Sequence, residues 1–217
     1  GSGDLEAADF ALSISGGSAT LTSATPSSIT KTSQTIWVLG FNTTGTASGS
    51  ETLTVVPTSS TSIYDVAANA ASETQSNNTA TFNDKAAPTL TFSPATGATA
   101  VANNSNITLT FNEAIRLVND TALSNTNVDA LITLKATNAD GVDIAFDATI
   151  DAEKKVITIN PNSDFTSEQV VFVAIGTTVE DASDNAISAA NATFTAADSA
   201  APTLTFSPAT GATAVAN

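Results

Sequence analysis

The chain has 217 residues, and only 12% of them are charged, against about 25% in an ordinary globular protein. The 21 acidic and 6 basic residues leave a net charge of −15, and Cys, His and Met are absent. The absence of Cys and His excludes the usual zinc sites, thiolate nucleophiles and Ser-His-Asp triads. The negative charge disfavours binding to nucleic acid and to anionic membranes, and it attracts cations.

The first 84 residues alternate apolar and polar side chains with a period of two, which is typical of β-strands. We expect strands at residues 10–15, 19–23, 35–41, 51–56 and 79–82. No run of about 18 apolar residues occurs and no signal peptide is recognisable, so no membrane insertion is expected from this sequence.

The same period continues over the next 114 residues, with β-branched residues in the strands and Gly, Asn, Asp and Pro between them. We expect strands at residues 89–93, 106–111, 129–136, 143–150, 155–160, 169–176 and 192–196, with a short helical turn within 116–127. Seven short strands at this spacing predict a β-sandwich.

An exact internal repeat divides the chain. Residues 86–103 and 200–217 both read AAPTLTFSPATGATAVAN, 114 residues apart. The repeat predicts a module that lacks its first strands at 1–84, a complete module at 85–198 and the first strand of a following module at 199–217. The C-terminal strand of one chain could complete the incomplete module of another by strand addition, which is the alternative to a simple boundary mismatch.

Three segments resemble the bacterial immunoglobulin-like repeats of S-layer proteins and giant surface adhesins. Residues 91–98 (TFSPATGA) and 107–115 (ITLTFNEAI) resemble the opening of such a repeat, and residues 179–185 (VEDASDN) resemble a later turn. Asp184, and Ala68 in the first module, stand where that family prefers Gly. The resemblance implies an all-β fold of tandem immunoglobulin-like β-sandwiches on the bacterial cell surface.

Acidic residues recur at the predicted module ends, where side-chain oxygens are the ligands that Ca²⁺ prefers. We expect a calcium site at the junction of the first two modules, with equivalent residues at the other ends. The candidate ligands are Asp84, Glu113, Asp181, Asn185, Asp65, Asn69 and Asp198.

The alternative for these residues is turn formation or capping, because Asp and Asn bond readily to nearby backbone. Asn138, Asp140 and Asp143 form a second calcium candidate, for which a plain hairpin turn is the alternative. Trp37 is expected to pack in the core rather than to bind carbohydrate.

These features predict a structural stalk or fibre repeat of an extracellular bacterial surface protein, and not an enzyme, because no pair of carboxylates is placed in one cleft. Its partners would be neighbouring repeats of the same chain. A glycan- or protein-binding module and a spacer of a secreted polysaccharide-degrading enzyme are the alternatives.

Overall fold

The computed structural model describes residues 4–207 and residue 211. The chain divides into two compact units. Unit 1 comprises Gly1–Ala87 with Ser183–Asn185, and unit 2 comprises Pro88–Ala182 with Ala186–Asn217. The boundary after Ala87 lies three residues beyond the boundary expected from the repeat. Among the described residues, no helix is long and apolar enough to cross a membrane.

Unit 1 consists of short antiparallel strands. They are β1 (Phe10–Ser15), β2 (Thr20–Leu21), β3 (Ser28–Lys31), β4 (Trp37–Gly40), β5 (Thr43–Thr44), β6 (Thr52–Pro57) and β7 (Thr79–Thr81), after a 3₁₀ helix at Ala7–Asp9. Strands β1, β6 and β7 form one sheet in the order β1-β6-β7, and β2 pairs with β5 and β3 with β4. Strands β3 and β5 lie in a Ser/Thr-rich region whose polar residues gave no apolar alternation, and the sequence analysis missed them.

Unit 2 contains nine strands, counted over its described residues. They are β8 (Leu90–Ser93), β9 (Ile107–Phe111), β10 (Arg116–Leu117), β11 (Ile132–Ala136), β12 (Phe146–Ile150), β13 (Val156–Pro161), β14 (Val170–Ile175), β15 (Val179–Glu180) and β16 (Ala190–Thr195). All seven predicted strands are present. The expected helical turn within 116–127 follows the short strand β10: residues 125–127 form a turn in which the Val128 N–H donates to the Ser124 carbonyl at 3.1 Å, four residues back as in an α-helix. A 3₁₀ helix follows at Asp129–Leu131.

The larger strands of unit 2 form two sheets, ordered β12-β13-β9-β8 and β11-β14-β16. In chain order these are the D-E-B-A and C-F-G sheets of an immunoglobulin constant-type sandwich. Alternate residues of each strand point inward, and Ile107, Leu109, Ile157 and Ile159 are fully buried. The all-β, immunoglobulin-like fold predicted from the sequence is confirmed.

The first strand changes sheets. After β8 pairs antiparallel with β9, residues 97–101 run parallel to β16. The Gly97 N–H donates to the Thr193 carbonyl at 2.7 Å, and Thr195 N–H donates to the Ala98 carbonyl at 2.9 Å. Val101 N–H donates to the Thr195 carbonyl at 3.1 Å. The Ala197 N–H donates to the Val101 carbonyl at 2.7 Å, so this segment covers the outer edge of β16.

The expected first strand of a following module falls within 199–217. Residues 201–206 form no strand, because a lone strand has no neighbour to satisfy its backbone groups. Residues 208–210 and 212–217 lie outside the described residues.

Truncating Leu109 tests the assignment of the core. Leu109 is fully buried on the central strand β9, so Leu109→Ala should lower the free energy of unfolding of unit 2 by about 2–5 kcal/mol. Val142→Ala is the control, because Val142 is 79% exposed and its truncation should cost under about 0.5 kcal/mol. Urea denaturation followed by far-ultraviolet circular dichroism measures both variants. Equal losses would contradict the assigned core.

Candidate functional site

The residues predicted as calcium ligands lie mostly in turns, and four of them fall into two loops of the same form. Asp65 and Asn69 lie four residues apart, as do Asp181 and Asn185. Each loop is closed by a β-bridge, Tyr64 to Ala70 in the first and Glu180 to Ala186 in the second. The two modules therefore build this turn in the same way despite different sequences.

Ala68 and Asp184 occupy the position in these two loops where the family resemblance favours Gly. Both residues have a left-handed backbone, with φ of +66° for Ala68 and +65° for Asp184. A left-handed backbone conformation costs a non-glycine residue about 1–2 kcal/mol. Both loops keep this conformation despite the cost. The turn geometry is thus kept without the glycine.

Asp65 caps its own loop. One carboxylate oxygen accepts the Ala67 and Asn69 N–H groups, each at 2.8 Å, and the other accepts the Asn69 side-chain amide at 2.8 Å. The Asn69 side chain, the Asn69 backbone and the Ala67 backbone lower the pKa of Asp65, against a smaller opposing effect of burial. These contacts are those of the capping alternative, and calcium binding by Asp65 and Asn69 stays a prediction.

Asp84 and Asp198 form equivalent turns where the chain leaves β7 and β16. The Asp84 carboxylate accepts the Ala86 N–H at 2.8 Å, and the Asp198 carboxylate accepts the Ala200 N–H at 2.9 Å. Asp198 also accepts the Ser167 hydroxyl at 2.7 Å, which lowers the pKa of Asp198 together with the Ala200 N–H. Both residues therefore shape the connection that follows their strand.

Glu113 and Asp181 are brought together within unit 2. Glu113 follows β9 and Asp181 follows β15, and their carboxylate oxygens lie within 4.8 Å of one another. Asp181 is only 1% exposed, and Glu113 is half-buried. Two carboxylates this close repel each other unless a cation or hydrogen-bond donors compensate their charge.

A second acidic group in unit 2 is paired with an arginine side chain. Arg116 is the only arginine of the chain. Its guanidinium lies 2.7 Å from the Asp120 carboxylate and 3.3 Å from that of Glu180, which is 6% exposed. The pairing of β10 with β15 sets Arg116 directly opposite Glu180. The sequence analysis missed this ion-pair network because neither two-residue strand is long enough to show a period.

The cluster of Asn138, Asp140 and Asp143 is a hairpin turn. The Asn138 side chain accepts the Asp140 N–H at 2.9 Å, and the Gly141 N–H donates to the Asn138 carbonyl at 3.0 Å. Asp143 pairs with the Lys135 ammonium at 2.6 Å. The turn alternative accounts for these contacts.

Glu51 is the one fully buried acidic side chain among the described residues of unit 1, and the sequence analysis did not single it out. Its carboxylate accepts three backbone N–H groups: Ser18 at 2.6 Å, Ala19 at 2.9 Å and Ser48 at 2.9 Å. It thereby joins the loop after β1 to the loop before β6. Gly17 has φ of +59°, and a Cβ there would lie 2.0 Å from the Glu51 carboxyl carbon, so only glycine fits beside the carboxylate.

Hydrogen bonding holds Glu51 in its charged form. The Ala19 N–H has the largest effect, the Ser48 and Ser18 N–H groups add to it, and together they outweigh burial to lower the pKa of Glu51 to about 2. Unit 2 has Gln169 at the equivalent place before β14, where its side-chain oxygen accepts the Thr166 N–H at 2.7 Å. Glu51 is therefore a structural carboxylate, and its only sequence signal is the pair of glycine-containing loops that flank it.

Residues 84–196 match the family model described as a bacterial Ig-like domain. The chain belongs to the bacterial Ig-like domain family. Such domains are typical of bacterial surface proteins, which agrees with the resemblance seen in the sequence.

No curated protein matches this Ig-like chain. Among solved structures, 27 chains match. One is the crystal structure of CopC from Methylosinus trichosporium OB3b, which is 15% identical. The match covers 54% of this chain and 99% of that chain, with a TM-score of 0.36.

The buried carboxylate predicts an acid-sensitive unit 1. Because the pKa of Glu51 falls from 4.5 to about 2 on folding, its stabilisation is complete above pH 4.5 and is lost as the pH falls towards 2. Glu51→Gln should lower the stability of unit 1 near neutral pH and flatten this dependence, because an amide offers one acceptor oxygen to three donors. Trp37, the only tryptophan, lies in unit 1, so urea denaturation followed by its fluorescence at pH 2–7 measures this change.

Gln169→Glu is the matched control in unit 2, where no loop equivalent to residues 18–19 donates to the Gln169 side chain among the described contacts. It should leave the acid response of Trp37 fluorescence unchanged. A Glu51→Gln variant with the same acid response as the parent would overturn the role assigned to this carboxylate.

Proposed function

We propose that this protein is a load-bearing structural repeat of an extracellular bacterial surface protein, a stalk or fibre segment rather than an enzyme. Membership of the bacterial Ig-like family supports the surface role, and the exact 18-residue repeat supports an array of modules. The described carboxylates also support it. Those of Glu51, Asp65 and Asp198 serve hydrogen bonds, and that of Glu180 faces Arg116.

The observation that carries the proposal is the parallel pairing of residues 97–101 with β16. These are segments near the start and the end of unit 2. When the two ends of the module are pulled apart, parallel segments slide past one another. The three backbone hydrogen bonds between them, and a fourth from Ala197 just beyond β16, are therefore strained together in shear, rather than being broken one at a time from an end.

The burial of an aromatic side chain of β16 supports the same load-bearing role. Phe194 on β16 is 1% exposed, and its ring meets that of Phe165 edge-on at a centroid distance of 5.6 Å. Edge-to-face contact adds about 0.5–1.5 kcal/mol beyond area burial. Sliding β16 under load would have to draw this ring out of the core.

A protein-binding module is the second candidate, and one observation favours it. In unit 1, strand β4 and the residues next to it expose apolar side chains, with Ile36 58%, Val38 55% and Phe41 38% exposed. Trp37, between two of them, is half-buried, and the Lys31 ammonium lies 4.9 Å from its ring centroid. An apolar surface of this kind is typical of an interface.

Single-molecule stretching tests the stalk function. Thr195→Pro removes the N–H that bonds to Ala98, and Thr195→Ala keeps it. A polyprotein of Thr195→Pro modules should therefore unfold at a clearly lower force than one of Thr195→Ala modules. Each event should lengthen the chain by at most about 380–410 Å, since a residue extends by about 3.3–3.6 Å and the module has 114 residues. Equal forces for the two variants would contradict shear loading of this pair.

We also propose that Glu113 and Asp181 bind Ca²⁺. The closeness of their carboxylates and the burial of Asp181 support this, because an ion relieves the repulsion between the two charges. Extracellular modules bind calcium with dissociation constants of about 10⁻⁴–10⁻³ M, so near-full occupancy requires Ca²⁺ at about 10–100 mM.

Thermal unfolding with and without calcium tests this second proposal. Calcium at 100 times its dissociation constant stabilises a folded protein by about 2.7 kcal/mol, so the Tm of unit 2 should rise by about 5–10 °C over that in chelator. Asp181→Asn should abolish the rise, and Asp147→Asn, an exposed carboxylate on β12, should keep it. An unchanged Tm in the presence of calcium would contradict the proposed calcium site.

A further inference from the structure

A short linker follows β7, and the loop before β6 holds it to unit 1. The linker comprises residues 84–86, and we name residues 46–50 of the loop the strap. The Lys85 N–H donates to the Ala47 carbonyl at 2.8 Å, so a backbone hydrogen bond joins the linker to the strap. The chain is therefore still fixed to unit 1 after β7 has ended.

The strap and the linker also approach each other closely at Gly49. This residue has φ of +74°, a conformation that suits glycine, and a Cβ there would lie 3.1 Å from the Cβ of Asp84. That distance is shorter than an ordinary van der Waals contact. A larger residue at position 49 would push the linker away from the strap, so the close approach requires glycine.

The strap is in turn anchored to the loop after β1. The Ser18 hydroxyl donates to the Thr46 carbonyl at 2.6 Å. The buried Glu51 carboxylate accepts the Ser48 N–H from the strap at 2.9 Å and the Ser18 N–H from the other loop at 2.6 Å. The strap is thus bonded on one side to the interior of unit 1 and on the other side to the linker.

Unit 2 holds its own linker, residues 198–200, by different contacts at the equivalent place. The register of β14 with β16 matches that of β6 with β7, so Ser167 takes the place of Gly49. The Ser167 hydroxyl donates to the Asp198 carboxylate at 2.7 Å. It accepts the N–H groups of Ser199 at 2.9 Å and of Ala200 at 3.2 Å. Two units with different residues at this place therefore both hold the segment that leaves them.

We propose that each unit makes its linker part of its own fold, so that the chain leaves the unit in a fixed direction. The strap does this in unit 1, and the Ser167 hydroxyl does it in unit 2. Fixing a backbone removes conformational freedom, and bending the chain at this point must first break the contacts that hold it. The consequence for the stiffness of an array rests on the proposed stalk function, whereas the fixed linkers do not.

Limited digestion of the full chain by trypsin tests the strap. Lys85 is the only Lys or Arg of its linker, and cleavage after it gives fragments 1–85 and 86–217. Ser18→Ala removes the hydroxyl that bonds to Thr46 and keeps the Ser18 N–H. It should raise the rate of cleavage at Lys85 by about 2–10-fold, the change expected for the loss of one hydrogen bond.

Matched variants separate release of the linker from unfolding of unit 1. Ser18→Thr keeps a hydroxyl at this position, and Ser13→Ala changes an exposed serine of β1, so both should be cleaved at Lys85 as slowly as the parent. Lys31 lies on β3 of the same unit, and its cleavage reports opening of the whole unit. The ratio of cleavage at Lys85 to cleavage at Lys31 should therefore rise only with Ser18→Ala.

Amide hydrogen exchange measured by NMR tests both linkers. The Lys85 and Ser199 N–H groups of the parent should exchange at rates closer to those of the strands than to those of an unstructured chain. Ser167→Ala should speed the exchange of Ser199, and Ser167→Thr, which keeps the hydroxyl, should not. Exchange of either amide at the unstructured rate in the parent, or equal cleavage at Lys85 in Ser18→Ala and Ser18→Thr, would overturn the proposal.

Neither measurement applies a force, so the two proposals can fail separately. Slow exchange in a chain whose Thr195→Pro and Thr195→Ala variants unfold at the same force would support the fixed linkers and reject the load-bearing role. The opposite pair of results would reject the fixed linkers and support the load-bearing role.

Discussion

Four backbone hydrogen bonds join residues 97–101 to β16 and to Ala197 just beyond it, and they cover an edge of the sandwich that would otherwise be open. An uncovered edge leaves N–H and C=O groups without partners and invites pairing with another chain. In unit 2 the first strand prevents this by leaving β9 and crossing to the opposite sheet. The proposed resistance to load depends on this crossing.

The acidic residues are accommodated in two physically different ways. Exposed carboxylates such as those of Asp65 and Asp198 cap turns, where nearby O–H and N–H donors favour the charged form. Buried carboxylates need stronger compensation. Glu51 receives it from three backbone donors, and Glu180 receives it from Arg116. A chain with a net charge of −15 can therefore fold without disulfides while keeping most of its charges at turns and loops.

The two units show how one architecture tolerates different sequences. Gln169 in unit 2 stands where unit 1 has Glu51, and both side chains accept the N–H of the residue three positions earlier. Ala68 and Asp184 likewise share a left-handed turn without sharing a residue type. The backbone hydrogen bonds of the neighbouring strands set these conformations, so the side chain at each position can vary.

Local pattern alone determined the longer strands of this protein. Alternation with a period of two placed the seven main strands of unit 2, because one face of each strand must be apolar to enter the sandwich. The 114-residue repeat predicts a module boundary after residue 84, and the two compact units divide after Ala87. Short strands were not predicted, since two residues such as Arg116 and Leu117 cannot display a period.

Only the tertiary structure decided which distant residues meet. The burial of Glu51 among the N–H groups of two loops, and the position of Arg116 opposite Glu180, depend on strand register, which no local pattern encodes. The same holds for the crossing of residues 97–101 to β16. Leu90 and Leu204 lie in identical stretches of sequence, but Leu204 is 76% exposed whereas Leu90 packs against the core of unit 2. Burial depends on what packs against a segment, and not on the sequence of the segment itself.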